Sequence, residues 1–118
     1  MAILIVDDEA DIRDSLREWL EDEGYDVLTA ADGAEALDQL SADALPCLII
    51  LDLLMPNVSG NEVYRRMQSD PRLAGVPVVV STSDPSRAPS GVLIMKKPVD
   101  LKRLLGTVRQ HCAGASPA

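Results

Sequence analysis

The stretch Ile3-Leu4-Ile5-Val6-Asp7-Asp8 decides the fold, because it places two carboxylates directly after a run of apolar residues. Three later segments repeat this pattern and end in an acid, a hydroxyl or a lysine: residues 48–52, 78–82 and 92–97. Apolar, β-branched runs separated by helical patterns indicate buried parallel strands. Polar groups at the carboxyl ends of such strands meet in one crevice, so we expect three carboxylates, a hydroxyl and an ammonium at a single site.

Helical patterns fill the intervals between these runs. Ile12, Leu16 and Leu20 recur at helical spacing, and Gly24 is a typical terminator, so a helix is predicted over residues 10–23. Further helices are predicted at residues 32–40, with Asp32 as the N-cap, at 60–69, and from Pro98 to about 111. The predicted strands lie at residues 2–6, 26–30, 47–51, 77–81 and 92–95.

The connection between the last two predicted strands is unusual. Residues 83–91 read Ser-Asp-Pro-Ser-Arg-Ala-Pro-Ser-Gly, which has no helical period and two prolines. A parallel crossover normally takes about a dozen residues, usually with a helix. We therefore expect that helix to be missing or reduced to a turn. One face of the last strand would then form an apolar surface for a partner or a homodimer, unless the loop covers it.

Composition predicts a single domain that is soluble and cytoplasmic. The chain has 118 residues, of which 47% are hydrophobic, enough for one core. The net charge of −8 argues against nucleic acid as a partner. No signal-peptide pattern follows Met1, and no apolar run approaches the roughly 20 residues that span a membrane. Met1 lies directly before the first predicted strand, which suggests a natural start.

The two cysteines fit no framework that the sequence defines. Cys47 and Cys112 are too few for a disulfide scaffold, and His111 is the only histidine, so a zinc site is disfavoured. We expect Cys47 to be a small buried hydrophobic residue and Cys112 to lie in a frayed terminus.

Asp7, Asp8 and Asp52 predict a metal site. Adjacent carboxylates repel each other and ionise with difficulty unless a cation lies between them. An all-oxygen ligand set with room for water suits Mg²⁺, or Mn²⁺, rather than zinc. Asp52 could be only a ligand or could be a nucleophile, since carboxylates form acyl phosphates. In the second case Lys97 could hold the equatorial phosphoryl oxygens, with Thr82 as a further donor.

Together these residues resemble the motifs of a response regulator receiver domain. The motifs that carry the resemblance are Asp7-Asp8, residues 52–60 (DLLMPNVSG), Thr82 and Lys97-Pro98. The resemblance covers residues 3 to about 108, and it implies a flavodoxin-like α/β fold. That fold is a doubly wound, five-stranded parallel sheet of order 2-1-3-4-5. On this basis residues 1–112 are expected to form the receiver domain, and residues 113–118 a flexible tail.

The resemblance also implies the chemistry of the site. Asp52 would accept a phosphoryl group from a sensor histidine kinase or a phosphotransfer protein. Asp8, Asp52 and the backbone carbonyl of Leu54 would bind Mg²⁺, and Asp7 would act mainly through a metal-bound water. Thr82 and Lys97 would contact the phosphoryl oxygens.

One departure from the family pattern concerns signal output. Three positions before the lysine, the family usually has an aromatic residue that moves inward when the threonine is drawn toward phosphate. Here that residue is Ile94, so an aromatic switch is unavailable.

Three functions remain to be compared. The leading hypothesis is a stand-alone phosphoacceptor that signals by binding a downstream protein or by relaying phosphate. The alternative is a degenerate receiver that binds proteins constitutively. A turnover enzyme is disfavoured, because aspartate-nucleophile phosphatases commonly have a second acid two positions after the nucleophile. That position is Leu54, which cannot transfer a proton.

Overall fold

The computed structural model describes residues 1–42, 44–55 and 57–112. Within these residues, strands and helices alternate along the chain. In order they are β1 (Ile3–Val6), α1 (Ala10–Asp22), β2 (Val27–Ala30), α2 (Gly33–Leu40), β3 (Leu48–Asp52), α3 (Gly60–Ser69), β4 (Val78–Thr82), a 3₁₀ turn (Pro85–Arg87), β5 (Leu93–Lys96) and α4 (Leu101–His111).

The five strands form one parallel sheet of order β2-β1-β3-β4-β5, as predicted. Val6, the last residue of β1, pairs with Ala30 and with Leu51, while Asp52 pairs with Ser81. Thr82 in turn pairs with Lys96 on β5. Because every pairing is parallel and the register is nearly level, the residues that follow the strands lie along one edge of the sheet.

Helices cover both faces of the sheet, which explains why the strands are apolar on both sides. On one face, Ile5, Ile50 and Met95 pack with Leu16 of α1 and Leu104 of α4. The opposite face packs against α2 and α3, through these buried residues: Leu4, Val6, Ile49, Leu51, Leu40, Val63 and Met67. The polar ends of the strands are thereby fixed to a rigid scaffold.

The crossover between β4 and β5 contains only the 3₁₀ turn, which confirms the expected loss of a helix. Asn61 at the start of α3 anchors this turn, since its Nδ2 donates a hydrogen bond of 3.0 Å to the carbonyl of Arg87. The turn contacts β5 and leaves Ile94 half-buried rather than fully open. Leu93, whose side chain points to the opposite face of the strand, is 40% exposed. The loop therefore covers part of the face that was expected to be open.

Two boundaries differ from the sequence prediction for physical reasons. The final helix begins at Leu101 rather than at Pro98, because the carboxylate of Asp100 accepts hydrogen bonds from the backbone N–H groups of Lys102 and Arg103. The last three strands also begin and end one residue later than predicted, so Asp52 and Thr82 are strand residues. The predicted N-cap Asp32 is confirmed, since its carboxylate accepts from the backbone N–H of Glu35.

Cys47 is buried as expected, at 5% exposure, but the interpretation of the two cysteines as unpaired was wrong. Cys47 and Cys112 form a disulfide across 65 residues, with their Cα atoms 5.4 Å apart. Cys112 is only 4% exposed and does not lie in a frayed terminus. The pairing depends on how α4 returns to the start of β3, and spacing along the chain does not reveal that.

The predicted tail, residues 113–118, lies outside the described residues. Within the described ranges, every helix is too short or too polar to cross a lipid bilayer.

Candidate functional site

Three carboxylates gather at the carboxyl edge of the sheet. Asp7 and Asp8 follow β1, and Asp52 ends β3, so parallel pairing brings them together. Each offers an oxygen, and these oxygens all lie within 4.8 Å of one another. Asp7 and Asp52 are 3% and 5% exposed, whereas Asp8 is exposed. This hard-oxygen donor set, with one open side where water can complete the coordination, fits Mg²⁺ or Mn²⁺.

Lys97 supplies the positive charge of the site. Its backbone N–H donates to the carbonyl of Thr82 at 2.9 Å, which fixes the residue where β5 ends. The Nζ atom donates to Oδ2 of Asp7 at 2.9 Å and lies 3.7 Å from Oδ1 of Asp52. The structure thus brings the lysine and two of the predicted carboxylates into one ion-pair network.

Burial makes Asp52 a weaker acid than a free aspartate. Loss of hydration, opposed by the nearby Lys97 ammonium and reinforced by the Asp7 carboxylate, raises the pKa of Asp52 from 3.8 to about 6. The pKa of Lys97 is raised as well, which keeps its ammonium charged. Burial acts to lower the pKa of its ammonium, but the hydrogen bond and charge of Asp7 outweigh that effect and raise it. A divalent cation would favour the ionised form of Asp52 and would therefore oppose this rise in its pKa.

Asp7 and Asp8 have different environments. The Oδ1 atom of Asp7 accepts from the backbone N–H of Glu9 at 2.9 Å, while its Oδ2 accepts from Lys97. Both oxygens of Asp7 are therefore engaged with donors of the chain, and the exposed carboxylate of Asp8 faces solvent. The more direct binding of a metal by Asp8 stays a prediction.

Arg13 is a residue that sequence reasoning missed. From the first turns of α1, its guanidinium donates to the backbone carbonyl of Asp7 at 2.8 Å and so fixes the β1–α1 loop. Its spacing of six residues from Asp7 was visible in the sequence. However, a single arginine on a helix with many charged residues looks in the sequence like an ordinary solvated side chain.

The loop from Asp52 to α3 is held by close packing. The backbone N–H of Gly60 donates to the carbonyl of Leu53 at 3.0 Å, and the backbone N–H of Leu54 lies 3.4 Å from Oδ1 of Asp52. A side chain on Gly60 would overlap the carbonyl oxygen of Asp52 and would place its Cβ 2.7 Å from the Cα of Leu53. Glycine at this position therefore lets the loop return tightly over the end of β3, where Leu54 is predicted to present its carbonyl.

Thr82 is fully buried at the end of β4. Its Oγ1 accepts a hydrogen bond of 3.1 Å from the backbone N–H of Asp84. The carboxylate of Asp84 in turn accepts from the backbone N–H of Ser86 and begins the 3₁₀ turn. The hydroxyl is thus at the predicted edge and is tied to the crossover loop.

Comparison with known proteins agrees with this geometry. The family model described as the response regulator receiver domain matches residues 3–109. The chain belongs to this family. An uncharacterised 14.6 kDa protein from Leptolyngbya boryana is 35% identical over 99% of the chain and 94% of its own length. Response regulator MprA from Mycobacterium avium is 36% identical over 92% of the chain, which spans only about half (50%) of MprA.

A solved structure extends the similarity to three dimensions. Response regulator TrrA from Thermotoga maritima, in complex with Mg²⁺ and BeF, superposes with a TM-score of 0.81 at 30% identity. The match covers 95% of this receiver domain and 100% of the TrrA chain. The five-stranded fold of this chain is therefore the receiver fold of its family.

A cleft adjoins the candidate site of this receiver domain. It has a volume of about 320 Å³ and lies between α1 and the segment that leads into α4. Ile12, Val99 and Leu101 give it apolar walls, and Lys97 also lines it. A partner that approached Asp52 along α1 would find an apolar contact surface there.

Proposed function

We propose that this receiver domain accepts a phosphoryl group on Asp52 in a reaction that depends on Mg²⁺. The observation that supports the proposal is the arrangement of Asp52 itself. It is a buried carboxylate within 4.8 Å of the oxygens of two other acids, with an ammonium 3.7 Å away. Acidic groups of an ordinary surface patch are solvated, whereas here a half-buried lysine lies among them. Labelling with acetyl phosphate, before and after substitution of Asp52, tests the proposal.

Asp52, Lys97 and the metal ligands would have different roles in phosphoryl transfer. The Asp52 carboxylate attacks phosphorus, an acyl phosphate forms, and the bond from phosphorus to the donor breaks. Lys97 would move from Asp7 toward the new phosphoryl oxygens and hold them by charge. Mg²⁺, bound by Asp8, Asp52 and the carbonyl of Leu54, would supply charge that offsets the repulsion between the carboxylate and the phosphoryl dianion. Leu54 offers no proton-transfer group, so catalytic turnover is not expected.

The donor and the target are proteins in this proposal. A sensor histidine kinase or a phosphotransfer protein would supply the phosphoryl group and could dock on the cleft beside α1. The phosphorylated domain would act by binding a downstream protein or by relaying phosphate. Kinases of this class draw on ATP, so the site of action is proposed to be the cytoplasm.

Magnesium should stabilise the fold in a manner that depends on Asp8. Adding Mg²⁺ at about 100 times its dissociation constant should raise the free energy of unfolding by roughly 2.7 kcal/mol, because the ion binds only the folded site. Thermal unfolding with and without Mg²⁺ measures this. Asp8→Ala should remove most of the increase, and the exposed acid Asp11 provides the matched control Asp11→Ala.

The magnesium response should also grow with pH. In the metal-free folded state Asp52 keeps its proton up to about pH 6, so below that pH the ion must displace the proton. The rise in Tm should therefore be smaller at pH 5 than at pH 7.5.

The assignment of Asp8 has its own contradicting outcome. An Asp8→Ala variant that kept the full response would show that Asp8 is not a ligand.

Phosphorylation should change the crossover loop through Thr82. The Oγ1 atom already accepts from the N–H of Asp84, and its own proton has only a long contact of 3.4 Å with the carbonyl of Asp84. A phosphoryl group on Asp52 would give that proton a stronger acceptor and would draw the loop toward the site. Hydrogen exchange over residues 82–95 should slow when beryllofluoride and Mg²⁺ are added.

A substitution separates this coupling from general stabilisation. Thr82→Val keeps the shape of the buried side chain but removes the hydroxyl, so it should lose most of the protection over the loop. Thr107→Val is the matched control, since Thr107 makes only a local hydrogen bond to the carbonyl of Arg103 in α4. Equal protection in the wild type and Thr82→Val would exclude Thr82 as the link.

A further inference from the structure

A pair of cysteines connects two elements far from the phosphorylation chemistry. Cys47 directly precedes β3, and Cys112 directly follows α4, so the bond between them ties the end of the last helix to the start of a central strand. Asp52 lies at the other end of β3, roughly 16 Å along the strand. We propose that Cys47 and Cys112 form a reversible oxidative modification site, independent of the proposed phosphorylation.

Backbone hydrogen bonds fix both cysteines next to regular secondary structure. The N–H of Cys47 donates to the carbonyl of Ala2 at 2.9 Å, and the N–H of Cys112 donates to the carbonyl of Val108 at 2.7 Å. The resulting Cα separation of 5.4 Å lies in the usual range for disulfides. The thiols of a reduced chain would therefore already be neighbours, and oxidation would need no rearrangement of the sheet or the helix.

Burial favours pairing within one chain over pairing between chains. The two residues are 5% and 4% exposed, so neither sulfur can meet a second copy while the helix is docked. Entry of a small oxidant requires only a local opening at the end of α4, because Cys112 lies one residue beyond the helix. Helix ends open at low free-energy cost, whereas Cys47 directly precedes a central strand.

The chemistry is thiol–disulfide exchange with a small disulfide such as glutathione disulfide. The Cys112 thiolate attacks one glutathione sulfur, and one glutathione thiolate leaves. The Cys47 thiolate then attacks Cys112 in the mixed disulfide, and the second glutathione leaves. Two cysteine thiols are oxidised and one glutathione disulfide is reduced to two thiols, which receive the two protons. In a reducing compartment such a pair would be open at rest and would close under oxidising conditions.

The bond would change the stability of the domain. It closes a loop across 65 residues, which restricts the unfolded chain and disfavours unfolding. It also holds the end of α4, whose Leu104 and Val108 are fully buried against the sheet. For a domain of this size, we expect the oxidised form to melt roughly 10 °C above the reduced form.

The experiment equilibrates the intact protein with glutathione disulfide or with dithiothreitol. Free thiols are then counted in denaturant, the intact mass is recorded and Tm is measured. Oxidation should leave no free thiol, give a monomer lighter by two hydrogens and raise Tm, and dithiothreitol should reverse all three changes. Cys112→Ser and Cys47→Ser should each abolish the redox dependence of Tm.

Three results would contradict a reversible disulfide within one chain. Two free thiols after oxidation, a Tm that ignores dithiothreitol, or a disulfide-linked dimer as the main product would overturn the proposal. The wild-type protein alone decides these points if a serine variant does not fold. Labelling of Asp52 by acetyl phosphate should be the same in both redox forms at a temperature where both are folded. Failure of that labelling would leave the thiol result intact.

Discussion

Asp52→Asn should reduce labelling by acetyl phosphate and Mg²⁺ to background, whereas the wild type should be labelled. The amide keeps the size of the carboxylate but lacks a nucleophilic oxygen that forms an acyl phosphate. The residue is 5% exposed at the end of β3, so its neighbours should stay in place. Labelling is followed by intact mass, and beryllofluoride binding gives a second measurement. Asp38→Asn, which alters an exposed acid on α2, is the matched control.

The same variant should be more stable than the metal-free wild type at neutral pH. The pKa of Asp52 in the folded state, about 6, lies above its ordinary value of 3.8. The folded state therefore holds this proton more tightly, and stability contributed by Asp52 falls as pH rises from about 4 to about 6. Asparagine has no proton to lose, so the expected gain at pH 7.5 is at most about 3 kcal/mol. A gain in Tm would show that lost labelling is not caused by unfolding.

Two outcomes would contradict this assignment. Labelling that persists in Asp52→Asn would place the acceptor elsewhere. A wild type that takes no phosphoryl group from acetyl phosphate in the presence of Mg²⁺ would favour the alternative of a constitutive protein-binding module.

The sequence predicted the sheet and its polar edge because both depend on local patterns. Four apolar runs identified β1, β3, β4 and β5. The polar residues at the carboxyl ends of these runs identified the site. Asp7, Asp52, Thr82 and Lys97 then converge because parallel strands share an edge. The missing helix was predictable for the same reason, since proline content and length are local properties of residues 83–91.

Features that depend on tertiary packing were not predictable in this way. Cys47 and Cys112 meet only because α4 returns to the start of β3. Lys97 hydrogen-bonds Asp7 at 2.9 Å and lies 3.7 Å from Asp52, and the sequence pattern does not reveal which of the two carboxylates it contacts. Arg13 donates to a backbone carbonyl, and every residue has one, so the sequence contains no complementary side chain that would point to this contact.

Gly60→Ala should destabilise the domain by about 2 kcal/mol or more and should also impair phosphorylation. The added Cβ would overlap the carbonyl oxygen of Asp52 and lie 2.7 Å from the Cα of Leu53. These are backbone atoms of the strand that carries the proposed acceptor, so a rotamer change cannot relieve the overlap. Relief requires α3 to move away from the end of β3, which costs packing energy and displaces the carboxylate. Chemical denaturation measures the first effect and acetyl phosphate labelling the second.

Gly106→Ala is the control that separates crowding from the general effect of replacing glycine. Gly106 lies on the exposed face of α4, and a Cβ there meets no atom of the described residues within 4 Å. Alanine should stabilise the domain at that position by about 1 kcal/mol, because it favours the helix and restricts the unfolded chain. Gly33→Ala should resemble Gly60→Ala in sign, since its Cβ would lie 2.8 Å from the Cβ of Val58 in the same loop. If Gly60→Ala were as stable as the wild type, the close return of this loop over Asp52 would not be what positions the site.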